Sequence, residues 1–415
     1  MRVCFISVSD QLGGSEVALL EMIRALERVR SSWTFHVILP GAGPLRERLL
    51  QAGASCTIVP LPAGLARVGE SSAVRDQWSV TARVMLGLRL GAAGAALPAY
   101  VRQLRDAVDA IDPDILHTNG LKAHVLGARL DKAGRALVWH LHEYVSPRRL
   151  TRALLRRHAS RCRAIVANSA SVARDVASIL GHAPPPIVVV HNAVDLDVFA
   201  PSGPTLDLDA LAGLDPAPGV LRVGLVGTFG RWKGHQVFVE ALARVFSATA
   251  HPLRGYIVGG ALYDTAGSQY SRQELEALVT AAGLKSRVGL TGFADAAAAM
   301  RSLDIIVHAS TEPEPFGLVI AEGMASGRAV ITTAQGGAAE VIEPGQDALV
   351  ARSGDPEALA SAILRLADDS DLRGRISARA REAALERFAP ERMAQQLVTL
   401  YERLAQARSL PVVPA

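Results

Sequence analysis

Cysteine is scarce in this sequence. Only three of the 415 residues are cysteines, namely Cys4, Cys56 and Cys162, and their separations do not match those of metal-binding clusters. Cys4 and Cys56 also lie in apolar, strand-like runs. This usage argues against a cysteine metal site, and it favours reduced thiols in the core of a cytoplasmic protein.

Net charge is small, and long apolar runs are missing. The formal charge of +4 at pH 7 is too low for a chain of this size to indicate nucleic-acid binding. No charge-free segment reaches the roughly 18 residues of a membrane span, because Arg83 and Arg89 interrupt the nearest candidate. The apolar run at residues 1–8 is too short for a signal peptide and predicts a first strand. We therefore expect a cytoplasmic protein that neither crosses a membrane nor binds nucleic acid.

Short apolar runs alternate with helix-length segments along the whole chain. Apolar residues make up 49% of the sequence, enough for sizeable cores, and the alternation predicts α/β architecture with parallel strands. A stretch rich in Pro, Gly and Asp indicates a linker between two Rossmann-like domains. The predicted parts are an N-terminal domain at residues 1–200, the linker at 201–219, a C-terminal domain at 220–388, and at 389–415 a helix that packs back on the N-terminal domain, followed by a loose tail.

The most informative segment runs from Ser310 to Glu322. It follows a strand-like run and places Glu314 and Glu322 eight residues apart, with helix formers from Leu318 onward. A helix that begins near Gly317 presents backbone N–H groups that attract phosphate. The proline after Glu314 keeps this glutamate out of the helix. Two carboxylates around a phosphate site indicate a ligand with phosphates in the middle and hydroxyls at both ends, as in a nucleotide sugar.

A glycine-rich loop follows the first strand of the second half. It contains Arg231 and Lys233, whose positive charges would neutralise a diphosphate. Gly224, Gly227 and Gly230 also resemble a dinucleotide-binding fingerprint. The next predicted strand offers no acidic residue for the ribose of NAD, so this alternative is weak. A basic loop open to solvent is the other alternative.

Two elements of the first half also follow strands. Gly13-Gly14 precedes a helical pattern and would let the backbone approach an anion, although an ordinary turn explains it equally well. His140, His142 and Glu143 end a later strand. We expect the two histidines to point to opposite faces of the strand, so that one packs inward and the other, His142, reaches the ligand. Neither has a partner at zinc-site spacing.

Arginines cluster on one segment of the first half. A solvated helix face is the usual explanation, and attraction to anionic lipid headgroups or to a phosphorylated acceptor is the alternative. Peripheral contact with the inner face of a membrane is therefore an open expectation. The residues are Arg148, Arg149, Arg152, Arg156, Arg157, Arg161 and Arg163.

Together these residues resemble the retaining glycosyltransferases of family 4. The resemblance covers the whole chain, since five family elements occur in the right order, and it implies the GT-B fold, in which two Rossmann-like domains face each other across a deep cleft. The first domain would bind the acceptor and the second the nucleotide sugar, with no metal cofactor. The five elements are Gly13-Gly14, His142-Glu143, Asn192 to Asp195, Glu314 to Glu322, and Gly336-Gly337 with Glu340.

The resemblance also implies roles for residues of the second domain. Glu322 would bind the ribose hydroxyls, Glu314 the hydroxyls of the donor sugar, and Lys233 the diphosphate. The base would lie near Phe293. The backbone amides that would contact sugar or diphosphate are those of Phe316, Gly317 and Leu318.

In the first domain, His142 would approach the transferred sugar, and Gly13-Gly14 would lie under the diphosphate. One departure from the family pattern concerns the position five residues before Lys233, where many members have Arg and this chain has Thr228. We retain Thr228 among the donor-binding candidates and expect Arg231 to supply the missing charge. The predicted catalytic set is thus His142, Arg231, Lys233 and Glu314.

The predicted function is metal-independent, retaining transfer of a sugar from a UDP- or GDP-linked donor to a hydroxyl acceptor. The acceptor would be a lipid-linked glycan, a polysaccharide or a small natural product. A non-catalytic GT-B protein that binds nucleotide sugars or acts as a scaffold is the main alternative, and an NAD-dependent oxidoreductase is a weaker one.

Overall fold

The computed structural model describes residues 1–66, 80–130, 135–181, 184–262 and 267–409. The chain divides into two compact units. Unit 1 comprises Met1–Ala193 and the segment from Pro390 onward, and unit 2 comprises Val194–Ala389. The part of the predicted loose tail that follows residue 409 lies outside the described residues.

Unit 1 contains a seven-stranded parallel sheet with the strand order β3-β2-β1-β4-β5-β6-β7. All residues of the neighbouring strands β4 and β5 are buried, as expected for a parallel sheet covered on both faces. The strand order reverses between β1 and β4, and in such sheets ligands bind beyond the carboxyl ends of the strands at this point. The strands are β1 (Arg2–Ser7), β2 (Thr34–Leu39), β3 (Ser55–Ile58), β4 (Ile115–Asn119), β5 (Ala136–Leu141), β6 (Ala164–Ala167) and β7 (Ile187–Val189). The helices are α1 (Gly14–Val29), α2 (Pro44–Gln51), α3 (Ala63–Ala66), α4 (Val80–Ile111), α5 (Leu121–Gly127), α6 (Arg149–His158) and α7 (Ala170–Leu180).

Unit 2 contains a six-stranded parallel sheet with the order β10-β9-β8-β11-β12-β13, which reverses between β8 and β11. The predicted α/β organisation with two Rossmann-like sheets is confirmed. The strands are β8 (Leu221–Val226), β9 (Leu253–Val258), β10 (Val288–Gly292), β11 (Ile305–His308), β12 (Ala329–Thr332) and β13 (Leu349–Val350). The helices are α8 (Leu208–Ala212), α9 (His235–Ala248), α10 (Arg272–Ala281), α11 (Ala296–Arg301), α12 (Leu318–Ala325), α13 (Pro356–Asp368) and α14 (Ser370–Arg387).

The stretch predicted as a linker lies inside unit 2. It contains α8, and Asp209 in this helix is 3% exposed. Tyr256 Oη donates a hydrogen bond to Asp209 at 2.6 Å, and Arg254 forms an ion pair with it. These contacts attach the segment to β9. Pro and Gly mark turns, but they do not reveal whether a nearby side chain is fixed to a domain.

The last helix, α15 (Pro390–Ser409), belongs to unit 1 and packs along α1. Its apolar face, which includes Leu397 and Val398, joins the same core as β1 and β2. Tyr401 is fully buried, and its hydroxyl lies 2.6 Å from Nδ1 of His117 on β4. The helix therefore closes one face of the first sheet.

In unit 2, the loops that follow β8 and β11 are packed tightly against each other. Gly234 adopts a left-handed conformation, with φ of 76°, and precedes α9. A Cβ atom at this position would lie 1.9 Å from the carbonyl oxygen of Ala309. The backbone N–H of Thr311 also donates to the carbonyl of Trp232 at 2.7 Å. Only glycine fits here, so the two loops are fixed relative to each other.

We expect Gly234→Ala to destabilise unit 2 more than Gly219→Ala does. Gly219 has almost the same φ, 75°, but a Cβ there would contact nothing within 4 Å. Its substitution should cost about 1 kcal/mol from backbone strain alone, and Gly234→Ala about 1–3 kcal/mol more because two loops must separate. Urea unfolding of the two variants measures the difference, and equal losses would contradict the packing argument.

Candidate active site

A lysine and a glutamate form a largely buried ion pair beyond the carboxyl ends of β8 and β11. Lys233 Nζ lies 2.6 Å from Glu314 Oε1, and the two side chains are 23% and 11% exposed. Ser310 Oγ donates to the same oxygen at 2.6 Å, and His308 Nε2 lies 3.6 Å from it. Burial alone raises the pKa of Glu314, but the charge of Lys233 and the nearby His308 outweigh burial and hold the pKa well below its usual range. Glu314 is therefore a carboxylate at neutral pH.

The backbone around Glu314 is held by a second turn. Its N–H donates to the carbonyl of Gln335 at 3.2 Å, and its carbonyl accepts from the N–H of Gly337 at 2.7 Å. Thr333 Oγ1 donates to the carbonyl of Ser310 at 2.9 Å. The predicted glycine turn thus supports the Glu314 loop. Sequence reasoning missed Thr333, for which no spacing signal exists.

The helix α12 begins directly after this loop. Gly317 precedes it in a left-handed conformation, with φ of 90°, and provides no side-chain cap. The end of the helix therefore presents backbone N–H groups to an anion. Glu322 lies in the second turn and is partly buried, as is Leu318. The ring of Phe316 instead packs in the core, 5.8 Å from the ring of Phe388, so only its backbone is placed to contact a ligand.

Arg231 is not paired with Glu314. Its Nη2 lies 2.6 Å from Glu274 Oε1, its Nε donates to the carbonyl of Gly267 at 3.1 Å, and its guanidinium stacks 4.2 Å from the centre of the Tyr270 ring. The side chains of Arg231 and Glu274 are 43% and 48% exposed. Arg231 thus neighbours Lys233 in sequence, but its contacts are with α10 and with the segment that leads into this helix.

Thr228 and Phe293 lie at the same edge of the second sheet. Thr228 is partly buried in the loop after β8, where the N–H of Phe229 donates to the carbonyl of Gly260 at 3.0 Å. Phe293 follows β10 and is 65% exposed, unusually high for an aromatic side chain. A Cβ on Gly260 would lie 2.6 Å from the ring of Phe293. The ring therefore lies against bare backbone with its remaining surface in solvent.

Gly13 and Gly14 begin α1 in unit 1. Gly13 has an extended conformation, with φ of −88°, and a Cβ on Gly14 would contact nothing within 4 Å. Packing therefore does not demand glycine at position 14, and the backbone conformation does not demand it at position 13. The open space above Gly14 is compatible with a ligand, and the predicted role of the pair remains a prediction.

His142 follows β5 and contacts the first turn of α1 through a residue that sequence reasoning missed. Its Nε2 lies 2.7 Å from Oδ1 of Asn119, and Nδ2 of Asn119 donates to the carbonyl of Ser15 at 3.3 Å. The expectation that His140 and His142 point to opposite faces of the strand was wrong, although His140 is the more deeply buried of the two. Their ring centres are 4.0 Å apart, because residues two apart on an extended chain project to the same side.

The histidines of this region are neutral at physiological pH. Burial lowers the pKa of His142 to about 4 and that of His117 to about 3. Burial also lowers the pKa of His124 and His140, and their mutual repulsion would oppose a second proton. Burial raises the pKa of Glu143, while the Arg148 guanidinium, which forms an ion pair with it, acts against this shift. The imidazole rings of this region are therefore uncharged.

The arginine segment is largely helix α6 and is only partly committed to internal contacts. Arg156 Nε donates to the carbonyl of Ile179 at 2.9 Å, and Arg161 Nη1 to that of Ala128 at 2.8 Å. Arg149, Arg157 and Arg163 are exposed. Within the described residues, no group of three or more His, Cys, Asp and Glu side chains is arranged to hold a metal ion, and no helix is long and apolar enough to cross a membrane.

Two family models match the chain. The model described as Glycosyltransferase Family 4 matches residues 12–198, and the model described as Glycosyl transferases group 1 matches residues 220–369. The first match covers most of the strands of the first sheet, and the second match covers the strands of the second sheet.

Curated relatives match more locally. The chain is 30% identical over 233 residues to the D-inositol 3-phosphate glycosyltransferase of Corynebacterium urealyticum, and this match covers 55% of this chain and 52% of the relative. It is 33% identical over 220 residues to the lipopolysaccharide core biosynthesis mannosyltransferase LpcC of Rhizobium leguminosarum, with 53% and 60% covered. The chain thus spans about half the length of the curated relatives it matches.

Solved structures match over nearly the whole length of the chain. Alr3699/HepE of Anabaena in complex with UDP-glucose has a TM-score of 0.77 at 25% identity, covering 97% of this chain and 100% of that chain. Sucrose-phosphate synthase of Thermosynechococcus elongatus has a TM-score of 0.74 at 20% identity, covering 98% and 99%. The second likeness concerns the fold alone.

Proposed function

The chain belongs to the glycosyltransferases of family 4, and from this premise we propose that it moves a sugar from a nucleotide-sugar donor to an acceptor hydroxyl, with retention of the anomeric configuration and without a metal ion. The observation that carries the proposal is the Lys233–Glu314 pair. It lies beyond β8 and β11, where the strand order of the second sheet reverses, and ligands of such sheets bind there.

The chemistry proposed for this site is electrostatic. When the bond from the anomeric carbon to the phosphate oxygen breaks, negative charge builds on the leaving diphosphate. Lys233 and the N-terminus of α12 would stabilise that charge. The ammonium has three donors, so it can bind phosphate while it remains paired with Glu314. The acceptor oxygen bonds to the carbon on the face that the diphosphate leaves, and its proton passes to the leaving phosphate oxygen.

The two carboxylates then bind hydroxyl groups. Glu314 would hold the donor sugar and Glu322 the ribose, and neither acts as a nucleophile, in contrast to the carboxylate pairs of glycoside hydrolases. Phe293 would offer its exposed ring as a stacking surface for the base. The likeness to a structure that contains UDP-glucose supports UDP as the first choice, with GDP next. We also propose a role for His142 in handling the transferred sugar.

Substitution of either member of the ion pair should strongly reduce turnover. We expect Lys233→Ala and Glu314→Gln to lower kcat/KM for donor hydrolysis by roughly 100- to 1000-fold, since charge stabilisation is the main term. A thermal-shift panel of UDP- and GDP-linked sugars first selects the donor. Lys285→Ala, at an exposed lysine, is the matched control and should leave hydrolysis unchanged.

Donor hydrolysis also tests the proposed retention of configuration and the proposed independence of metal ions. Proton NMR should show the released sugar first in the anomeric configuration of the donor, and EDTA should not lower the rate. Near-normal turnover in Lys233→Ala would refute the assignment of Lys233 to the active site. Donor binding by the wild-type chain without any turnover would support the non-catalytic alternative instead.

We propose further that Arg231 binds the diphosphate by leaving Glu274. Exposed ion pairs contribute only about 0–1 kcal/mol, whereas charge-assisted bonds to phosphate are stronger. A donor would therefore compete successfully for the guanidinium. Glu274 also caps α10 together with Ser271, and glutamine preserves such a cap.

Glu274→Gln should therefore lower the KM for the donor by about 2- to 5-fold, and Arg231→Ala should raise it by roughly 10-fold. Glu276→Gln is the matched control, because Glu276 lies on the same helix and pairs with Arg272 at similar exposure. Donor hydrolysis at varied donor concentration gives the values. An unchanged KM in Arg231→Ala would remove this residue from the site.

The acceptor is proposed to be carried by, or to lie near, an anionic lipid surface. Several relatives are named for lipopolysaccharide core biosynthesis, and α6 presents exposed arginines next to Leu150, which is 58% exposed. Basic side chains and an exposed apolar one together favour attachment to anionic headgroups.

Replacing Arg149, Arg157 and Arg163 together by Gln should weaken binding to phosphatidylglycerol vesicles by roughly 100-fold, at about 1 kcal/mol per charge. Sedimentation with vesicles at low salt measures this. The matched control replaces three exposed arginines of unit 2, Arg244, Arg365 and Arg375. Equal loss in both triple variants would indicate net charge alone, and no vesicle binding by the wild type would refute the membrane proposal.

A further inference from the structure

Asn119 forms a polar bridge between the two candidate elements of unit 1. It is the last residue of β4, the strand next to β1 where the strand order reverses, and it is 1% exposed. On one side its amide reaches the carbonyl of Ser15 in the first turn of α1, and on the other it reaches the ring of His142. A buried amide that contacts two segments in this way fixes both of them.

The partners of Asn119 determine the orientation of its amide. The carbonyl of Ser15 can only accept a hydrogen bond, so the group facing it is the NH₂ group, Nδ2. Oδ1 then faces Nε2 of His142 at 2.7 Å and can only accept. The proton between them therefore belongs to His142.

This contact selects one tautomer of the imidazole, because the hydrogen bond at one ring nitrogen decides which nitrogen carries the proton. A ring protonated on Nε2 has an unprotonated Nδ1. That Nδ1 atom is buried and has no hydrogen-bond partner within the described residues. The low pKa of His142, which burial brings to about 4, agrees with a single neutral form at physiological pH.

We propose that Asn119 is a positioning residue for the sugar-transfer reaction, an inference that rests on the proposed function: it holds His142 in the Nε2-protonated tautomer and couples the ring to the turn at Gly13-Gly14. Asparagine suits this task better than aspartate. A carboxylate could still accept from His142, but it could not donate to the carbonyl of Ser15 and would repel it.

The tautomer is measured directly by long-range proton–nitrogen NMR on the full chain labelled with ¹⁵N-histidine, and His142→Gln identifies the His142 signals. The wild type should show His142 protonated on Nε2 alone. Asn119→Leu should shift it to a mixture or to Nδ1. Asn168→Leu is the matched control, since Asn168 is equally buried at the end of β6 and should leave the His142 signals unchanged.

Two results would overturn the proposal: an Nδ1-protonated His142 in the wild type, or an unchanged tautomer in Asn119→Leu. If Asn119→Leu does not fold, the nearly isosteric Asn119→Asp decides. It should keep the Nε2 proton and raise the pKa of His142, because a carboxylate would then face the ring. An unchanged ¹⁵N titration in this variant would show that residue 119 does not act on His142.

Kinetics separate positioning from a merely structural role. Asn119→Leu should lower kcat for donor hydrolysis by roughly 10- to 100-fold, as expected for a misplaced group, while KM for the donor changes less than about 3-fold. A change in KM alone would contradict the proposed role. The absence of hydrolysis in the wild type would refute the proposed function but leave the NMR result standing, so the two failures are distinguishable.

Discussion

The Lys233–Glu314 ion pair is the constraint on which the second unit depends. Two charges removed from water are tolerated only when each has a partner and the remaining polar atoms are satisfied. Ser310 donates to the carboxylate, and the turn at Gly337 holds its backbone. Gly234 brings the loop of Lys233 against the loop of Glu314 with no space for a side chain. The site is therefore organised before any ligand binds, and a diphosphate would meet a lysine already in place.

The first unit handles buried polarity differently. Its sheet edge carries neutral histidines instead of charges, and burial keeps their pKa values low. Hydrogen bonds from other elements of the unit orient some of these rings. Tyr401, on the last helix of the chain, reaches His117, and Asn119 reaches His142. Burying a neutral ring costs less free energy than burying an ion. A residue that sets the tautomer of one ring therefore matters more here than one that sets its charge.

Much of the fold could be predicted from the sequence, because strand positions follow from local apolar runs. The short apolar runs at residues 305–308 and 329–332, for example, form β11 and β12. Glu314 and Glu322 were recognised from their spacing. The partner of Glu314 within the folded chain was not, since Lys233 lies 81 residues away. Likewise, the loop of Arg231 indicated a diphosphate ligand, whereas the folded chain pairs this residue with Glu274 on α10.

The sequence by itself determined the parallel α/β class, the family and the set of candidate loops at the carboxyl ends of the strands, because each rests on short segments whose residue types suffice. Only the tertiary structure decided which side chains meet. It attached residues 201–219 to unit 2, placed His140 beside His142, and joined Ser15, Asn119 and His142 in one hydrogen-bonded bridge. Contacts of this kind depend on strand order and on the depth of burial, and neither follows from the spacing of residues along a chain.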